Sequence, residues 1–201
     1  MRNLAVFISG RGSNLEAILK RWKEGYLNCN IPFVLSNKAN ARGLIIAKNF
    51  GVKTYIIDKK DYESKEKFEE AILKIVKEYN IDLIVLAGFM LILSKEFIKS
   101  FGKDIINIHP SLLPAFPGVN SQARALNYGV KFSGCTVHFV TEEVDAGPII
   151  LQEIVPCFDE DTEDSLSLRI LEREHIILPE AIKLIIEDKI ERNGRRVFIK
   201  R

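Results

Sequence analysis

The sequence predicts an α/β protein built on a doubly wound, mostly parallel sheet, and three observations carry that expectation. Short apolar runs alternate with stretches of helical period through the first hundred residues, the pattern of strands joined by crossover helices. The first apolar run ends in a glycine-rich turn, Gly10-Arg11-Gly12-Ser13-Asn14, that opens a helix. The 201 residues, 47% hydrophobic and 28% charged, suit one domain with a core of ordinary size. No repeat or linker interrupts it, and it is expected to have an N-terminal half over residues 1–100 and a C-terminal half over 101–201.

Residues 4–9 (LAVFIS) read as a buried strand, after which Leu15, Ile18, Leu19 and Trp22 recur at helical spacing. A second strand is expected at 31–35, a helix at 41–50 closed by Gly51, and a third strand at 53–57. Ser64 opens a charged helix whose Phe68, Ile72, Ile75, Val76 and Tyr79 share one stripe. The continuous apolar run 83–87 that follows suits a strand buried on both faces. Ser94 caps a short helix ahead of a strand at 105–108. Three prolines and a glycine in 110–118 (PSLLPAFPG) forbid regular structure, leaving a stiff loop after a buried strand end. Two further strands, 134–140 and 149–155, flank residues 141–148, and 166–186 is a long amphipathic helix apart from Pro179. Asn193-Gly194, between short apolar stretches, carries the signal of a type I′ turn.

Composition excludes several classes of function. The 29 basic and 27 acidic side chains leave a net charge of +2. No aromatic platform interleaves the basic tail (Arg192, Arg195, Arg196, Lys200, Arg201), so a solvated end is expected and no nucleic-acid partner. No uncharged apolar run reaches the roughly 18 residues of a membrane span, and the N-terminus enters a strand in place of a signal segment, so a cytoplasmic protein is expected. Cys29, Cys135 and Cys157 are odd in number and widely spaced, which predicts reduced thiols in or near the core. Together with His109, His138 and His175 they lack ligand spacing, and no metal is expected. Neither Ser13 nor Ser111 sits in a nucleophile elbow.

Three constellations could carry chemistry. The turn at Gly12-Ser13-Asn14 offers unpaired N–H groups at a helix N-terminus and a close approach for an anion. It lacks the third glycine of a dinucleotide fingerprint and the lysine of a P-loop. A monophosphate site and simple capping by Ser13 both remain open. In Asn107-Ile108-His109-Pro110, alternation points Asn107 and His109 to the same side of a strand end. There an amide can donate to a developing oxyanion and an imidazole can exchange a proton. A satisfied core histidine is the bland alternative, but two polar groups leaving a buried strand just before a proline-rich loop favour function. In 141–148 (TEEVDAGP), Asp145 stands apart from Glu142 and Glu143 by its Ala-Gly-Pro setting, which could hold a carboxylate beside His109 and favour the imidazolium. His138, on the neighbouring strand, reads as a structural or supporting residue.

With these residues in hand the chain resembles the phosphoribosylglycinamide formyltransferases, folate-dependent enzymes of purine synthesis. The resemblance runs along ISGRGSNL, SNKANARGL, LAGFMLILS, NIHPSLLPAFPG, GCTVHFVTEEVDAGPII and EREH, nearly the whole chain. It implies a Rossmann-like formyltransferase fold with a C-terminal folate-binding half. It also implies binding of the phosphoribosyl substrate by Gly12, Ser13, Asn14, Gly88 and Glu174, and of 10-formyltetrahydrofolate by Lys65, Met90, Leu91, Ile92, Leu93 and Asn107. His109 would be the proton donor and Asp145 the group raising its pKa, with Asn107 stabilising the oxyanion. Related formyltransferases that act on methionyl-tRNA, or hydrolyse formyltetrahydrofolate, carry a further domain for which this length leaves no room. Many relatives carry arginine where this chain has Lys65 and Leu91, so weaker contacts to folate carboxylates are expected. Two other readings are a silent folate or nucleotide sensor and a formyl-folate enzyme with another acceptor. A monomer or homodimer is expected, acting on small molecules.

Overall fold

The computed structural model describes residues 1–200; Arg201, the last member of the basic tail, lies outside the described residues. Two compact units divide the chain, Met1–Ile106 and Asn107–Arg201.

In the first unit the opening apolar run becomes β1 (Arg2–Ile8), with Leu4 to Ile8 excluded from water. It is followed by α1 (Ser13–Lys23), β2 (Cys29–Ser36), α2 (Arg42–Asn49), β3 (Lys53–Ile56), α3 (Lys65–Glu78), β4 (Leu83–Leu86) and α4 (Lys95–Phe101). The four strands run parallel in the order β3-β2-β1-β4. The chain thus lays β2 and β3 on one side of β1 and then crosses to place β4 on the other, which makes a topological switch point at the carboxyl ends of β1 and β4. The caps are those expected: Ser64 accepts from the Lys67 N–H and Ser94 from the Phe97 N–H. Each satisfies a donor that an α-helix leaves without a partner.

β5 (Asp104–His109) carries the chain into the second unit. There β6 (Phe132–Phe139) and β7 (Ile149–Pro156) pair antiparallel, and α6 (Glu163–Ile186) packs on both. A closing hairpin consists of β8 (Ile190–Asn193) and β9 (Arg196–Ile199).

Three features depart from the sequence reading. A helix, α5 (Ser121–Tyr128), follows the proline-rich loop; its N-cap Asn120 sits in the left-handed region at φ 56° and makes no side-chain cap bond. α6 begins at Glu163, opened by a capping box between Thr162 and Ser165, and continues through the buried Pro179. The terminal turn is not type I′: Asn193 pairs with Arg196, and of the residues between them only Gly194 has positive φ, at 59°. A type I′ turn needs two such residues, and a glycine in the first central position is the II′ requirement.

Cys29, Cys135 and Cys157 are free and buried, and burial pushes the Cys29 thiol up to about 11 and Cys135 to about 12. Among the described residues no helix is long and apolar enough to cross a membrane, and no group of three His, Cys, Asp or Glu side chains is placed to hold a metal ion.

Candidate active site

The glycine turn and the segment after β4 both leave the sheet at the switch point of the first unit. Gly12, at φ 79°, is the N-cap of α1 and no side chain caps that end. Ser13 is therefore the first helical residue and not the cap, which removes the capping explanation for it. The first-turn N–H groups and the dipole present a positive end suited to an anion. Glycine is required here on steric grounds as well, because a Cβ on Gly12 would lie 2.5 Å from the Cα of Gly43. Beside the turn a cleft of about 380 Å³ is lined by Arg11, Ser13, Glu16, Arg42 and Phe50. Two arginines and one glutamate thus line the cleft beside the turn.

Gly88, at φ 74°, turns the chain out of β4. Beyond it Met90 and Ile92 are 67% and 64% exposed, Leu91 is partly exposed, and Leu93 is buried in the core. Of the expected folate contacts in this segment, only Leu93 has a buried side chain. Lys65 lies in the first turn of α3, its Nζ 3.8 Å from Glu69 Oε1.

The second unit brings the other candidates together. Asn107 and His109 leave β5 on the same side, as alternation requires. His109 is 5% exposed; its Nε2 donates to the Phe116 carbonyl at 3.0 Å and its Nδ1 lies 3.3 Å from Asp145 Oδ2. The same Asp145 oxygen accepts from the Gly118 N–H at 2.8 Å. Asp145 Oδ1 is 3.7 Å from Nε2 of His138, which is itself 3.3 Å from the Asn107 amide nitrogen. His138 Nδ1 donates to the Phe139 carbonyl at 2.9 Å. A carbonyl can only accept, so the proton of neutral His138 sits on Nδ1, and Nε2 accepts from Asn107. One N–H of the Asn107 amide is used there, and the second is not. Glu174 is buried on α6.

Sequence reasoning missed the Phe116 carbonyl, the Gly118 N–H and the position of His138 between Asn107 and Asp145. The first two are backbone groups, so residue type carries no signal for them. What places them is a polar scaffold under the proline-rich loop. Thr136 donates to the Ser111 carbonyl at 2.7 Å and accepts from the Leu113 N–H at 3.0 Å, while Ser111 Oγ donates to the Ala115 carbonyl at 2.6 Å.

The electrostatics follow from burial. Withdrawal from water opposes the imidazolium and holds His109 below the ordinary histidine value, although the Phe116 carbonyl and the Asp145 charge both pull upward. Asp145 does exert the expected influence, but desolvation outweighs it. For Asp145 burial pushes upward, yet His138, whose Nε2 faces it with an N–H only when the ring is protonated, the Gly118 N–H and His109 together hold the carboxyl below its usual range. The site therefore joins a permanent carboxylate, an imidazole that is mostly neutral at pH 7, and an amide donor. That is equipment for moving a proton and steadying a developing oxyanion.

The chain belongs to the formyl transferase family, whose model matches residues 2–182. It is 46% identical over 188 residues to the trifunctional purine biosynthetic protein adenosine-3 of Gallus gallus, covering 94% of this chain and 19% of that one. The chain thus spans about a fifth of the length of such trifunctional relatives. It is 40% identical to the phosphoribosylglycinamide formyltransferase of Escherichia coli (strain K12), covering 98% of this chain and 93% of that one. Among solved structures, the glycinamide ribonucleotide transformylase 1 from Symbiobacterium toebii matches with a TM-score of 0.97 at 46% identity, covering 100% of this chain and 95% of that one.

Proposed function

We propose that this chain transfers the formyl group of 10-formyltetrahydrofolate to the amine of N1-(5-phosphoribosyl)glycinamide, a step of purine synthesis, as a cytoplasmic monomer or homodimer. The observation that carries the reading is the buried convergence of His109 and His138 on Asp145, with Asn107 bonded to His138. The Gly12–Asn14 turn, Gly88 and Glu174 serve the phosphoribosyl substrate, and Lys65 with Met90, Leu91 and Ile92 the folate; Leu93 supports that segment from the core.

The neutral amine attacks the formyl carbon, forming the new C–N bond and an oxyanion. Asn107 donates its second amide N–H to that oxyanion. The attacking nitrogen sheds a proton to His109 Nδ1, the position left bare in the neutral ring. Asp145 Oδ2 steadies the resulting imidazolium. The proton then passes to the departing folate nitrogen as its bond to carbon breaks, giving tetrahydrofolate and the formylated amine. No bond forms between enzyme and formyl group.

The test follows formyl-folate consumption by absorbance, with and without the ribonucleotide, and identifies the product by mass. Consumption should require the ribonucleotide, and His109→Ala should lower kcat by about 10²-fold or more with both KM values within about twofold. Near-normal turnover in that variant overturns the role of His109. Equal consumption without the ribonucleotide makes the chain a hydrolase, and binding of both ligands without turnover makes it a sensor.

A further inference from the structure

The segment between β4 and α4 is pinned at both ends by buried side chains. At its front, Ser9 is 4% exposed; its hydroxyl donates to Asn37 Oδ1 at 2.5 Å and accepts from the Met90 N–H at 2.7 Å. The Ser9 N–H meanwhile donates to the Gly88 carbonyl at 3.0 Å. At its rear stands Glu69 on α3, 4% exposed, a position where an ionised carboxylate is costly unless its oxygens are occupied. Oε1 accepts from the Ser94 N–H at 2.8 Å and Oε2 from the Ser94 hydroxyl. That hydroxyl in turn accepts from the Phe97 N–H at 3.0 Å and opens α4. One turn earlier on α3, Lys65 brings its ammonium within 3.8 Å of Glu69 Oε1. A single buried carboxylate therefore ties the end of the 90–93 segment to the one cation proposed for the folate.

We infer that Glu69 is a positioning residue for the formyl-folate subsite, fixing the Ser94 end of the 90–93 segment and the Lys65 ammonium relative to one another. This rests on the assignment of Lys65 and of that segment to the folate. Glu69 itself, almost wholly buried, acts through Ser94 and Lys65. A buried carboxylate with two occupied oxygens restricts its neighbours more than an exposed ion pair does, because Glu69 is shut off from water even though the Lys65 side chain is 38% exposed. The glutamate thus sets how the segment is presented, and Ser9 with Asn37 does the same at the other end.

Steady-state kinetics separate positioning from general support. Glu69→Ala should raise KM for 10-formyltetrahydrofolate about tenfold, leave KM for the ribonucleotide within about twofold, and lower kcat by less than about threefold. Calorimetric binding of tetrahydrofolate should weaken in parallel. Glu69→Gln keeps an acceptor for the Ser94 N–H but loses its attraction for Lys65, and should restore part of the loss. Ser94→Ala leaves the carboxylate in place and should raise the same KM about threefold; these two variants carry the test if Glu69→Ala does not fold. Equal changes in both KM values, or a loss confined to kcat, overturn the inference. Lys65→Ala separates the levels: if it leaves folate KM unchanged, the subsite assignment fails and the inference with it. If it raises folate KM while none of the Glu69 or Ser94 variants does, only the inference about Glu69 fails.

Discussion

Asp145 occupies the left-handed region at φ 51°, with its carboxylate between Gly118, His109 and His138. Aspartate and asparagine are among the few non-glycine residues at home there. Asp145→Asn therefore keeps the backbone and an oxygen for the Gly118 N–H, and removes the charge while turning the other oxygen into an NH2 donor. With one of its two upward influences gone, the His109 pKa should fall further below 6.5, and kcat should drop about 10²-fold. An NMR titration of the imidazole proton measures the first; an unchanged or raised midpoint removes Asp145 from its role. At this scale the sequence was informative where function rests on side chains: Asn107, His109 and Asp145 announce themselves by residue type and by proline and glycine neighbours. Gly118 and Phe116 act through backbone atoms, and the bridge through His138 exists only once β5 and β6 are folded. The seating of Ser13 inside α1 turned on Gly12, whose close approach to Gly43 is a tertiary matter.

The link between β6 and β7 is held tightly at its Gly147-Pro148 end. The Phe139 N–H donates to the Pro148 carbonyl at 2.9 Å, and a Cβ on Gly147 would collide with the Phe139 carbonyl oxygen, a backbone atom that cannot swing aside. Gly147→Ala should therefore cost about 1–3 kcal/mol in a denaturant melt and move Asp145, lowering kcat more than either KM. A variant as stable and active as its parent would show that this link can relax. The strands and the Ser64 and Ser94 caps were readable because apolar runs and capping residues are local signals. α5 was not, since it is eight residues long and buries only Ser121 and Ala125, so no run of large apolar residues marks it. Pro179 interrupts a pattern without interrupting the helix, because packing of α6 on β6 and β7 holds the helix around it.

Taken as one titrating system, the protein should lose stability in acid in two stages. His109 lies below its ordinary value of 6.5, so between the two values the unfolded chain binds more protons, and stability falls as pH drops below about 6.5. The carboxyls held low, Asp82, Asp145 and Asp161 among them, contribute stability that is present above about 3.8 and lost as pH falls through their folded values. Thermal melts should show a Tm that is level near pH 7 and declines first gently, then steeply; His109→Gln should flatten the first decline. A Tm that rises between pH 7 and 5 would contradict the assignment. The sequence by itself determined the alternating α/β order, the caps, and the residue types at the Gly12–Asn14 turn and the Asn107, His109 and Asp145 cluster, because periodicity, capping and side-chain chemistry are written locally. Only the tertiary structure decided that Glu69 ties Lys65 to Ser94, that His138 joins Asn107 to Asp145, and that burial outweighs a neighbouring carboxylate at His109. Distance and desolvation arise between segments far apart in the chain, where no local pattern records them.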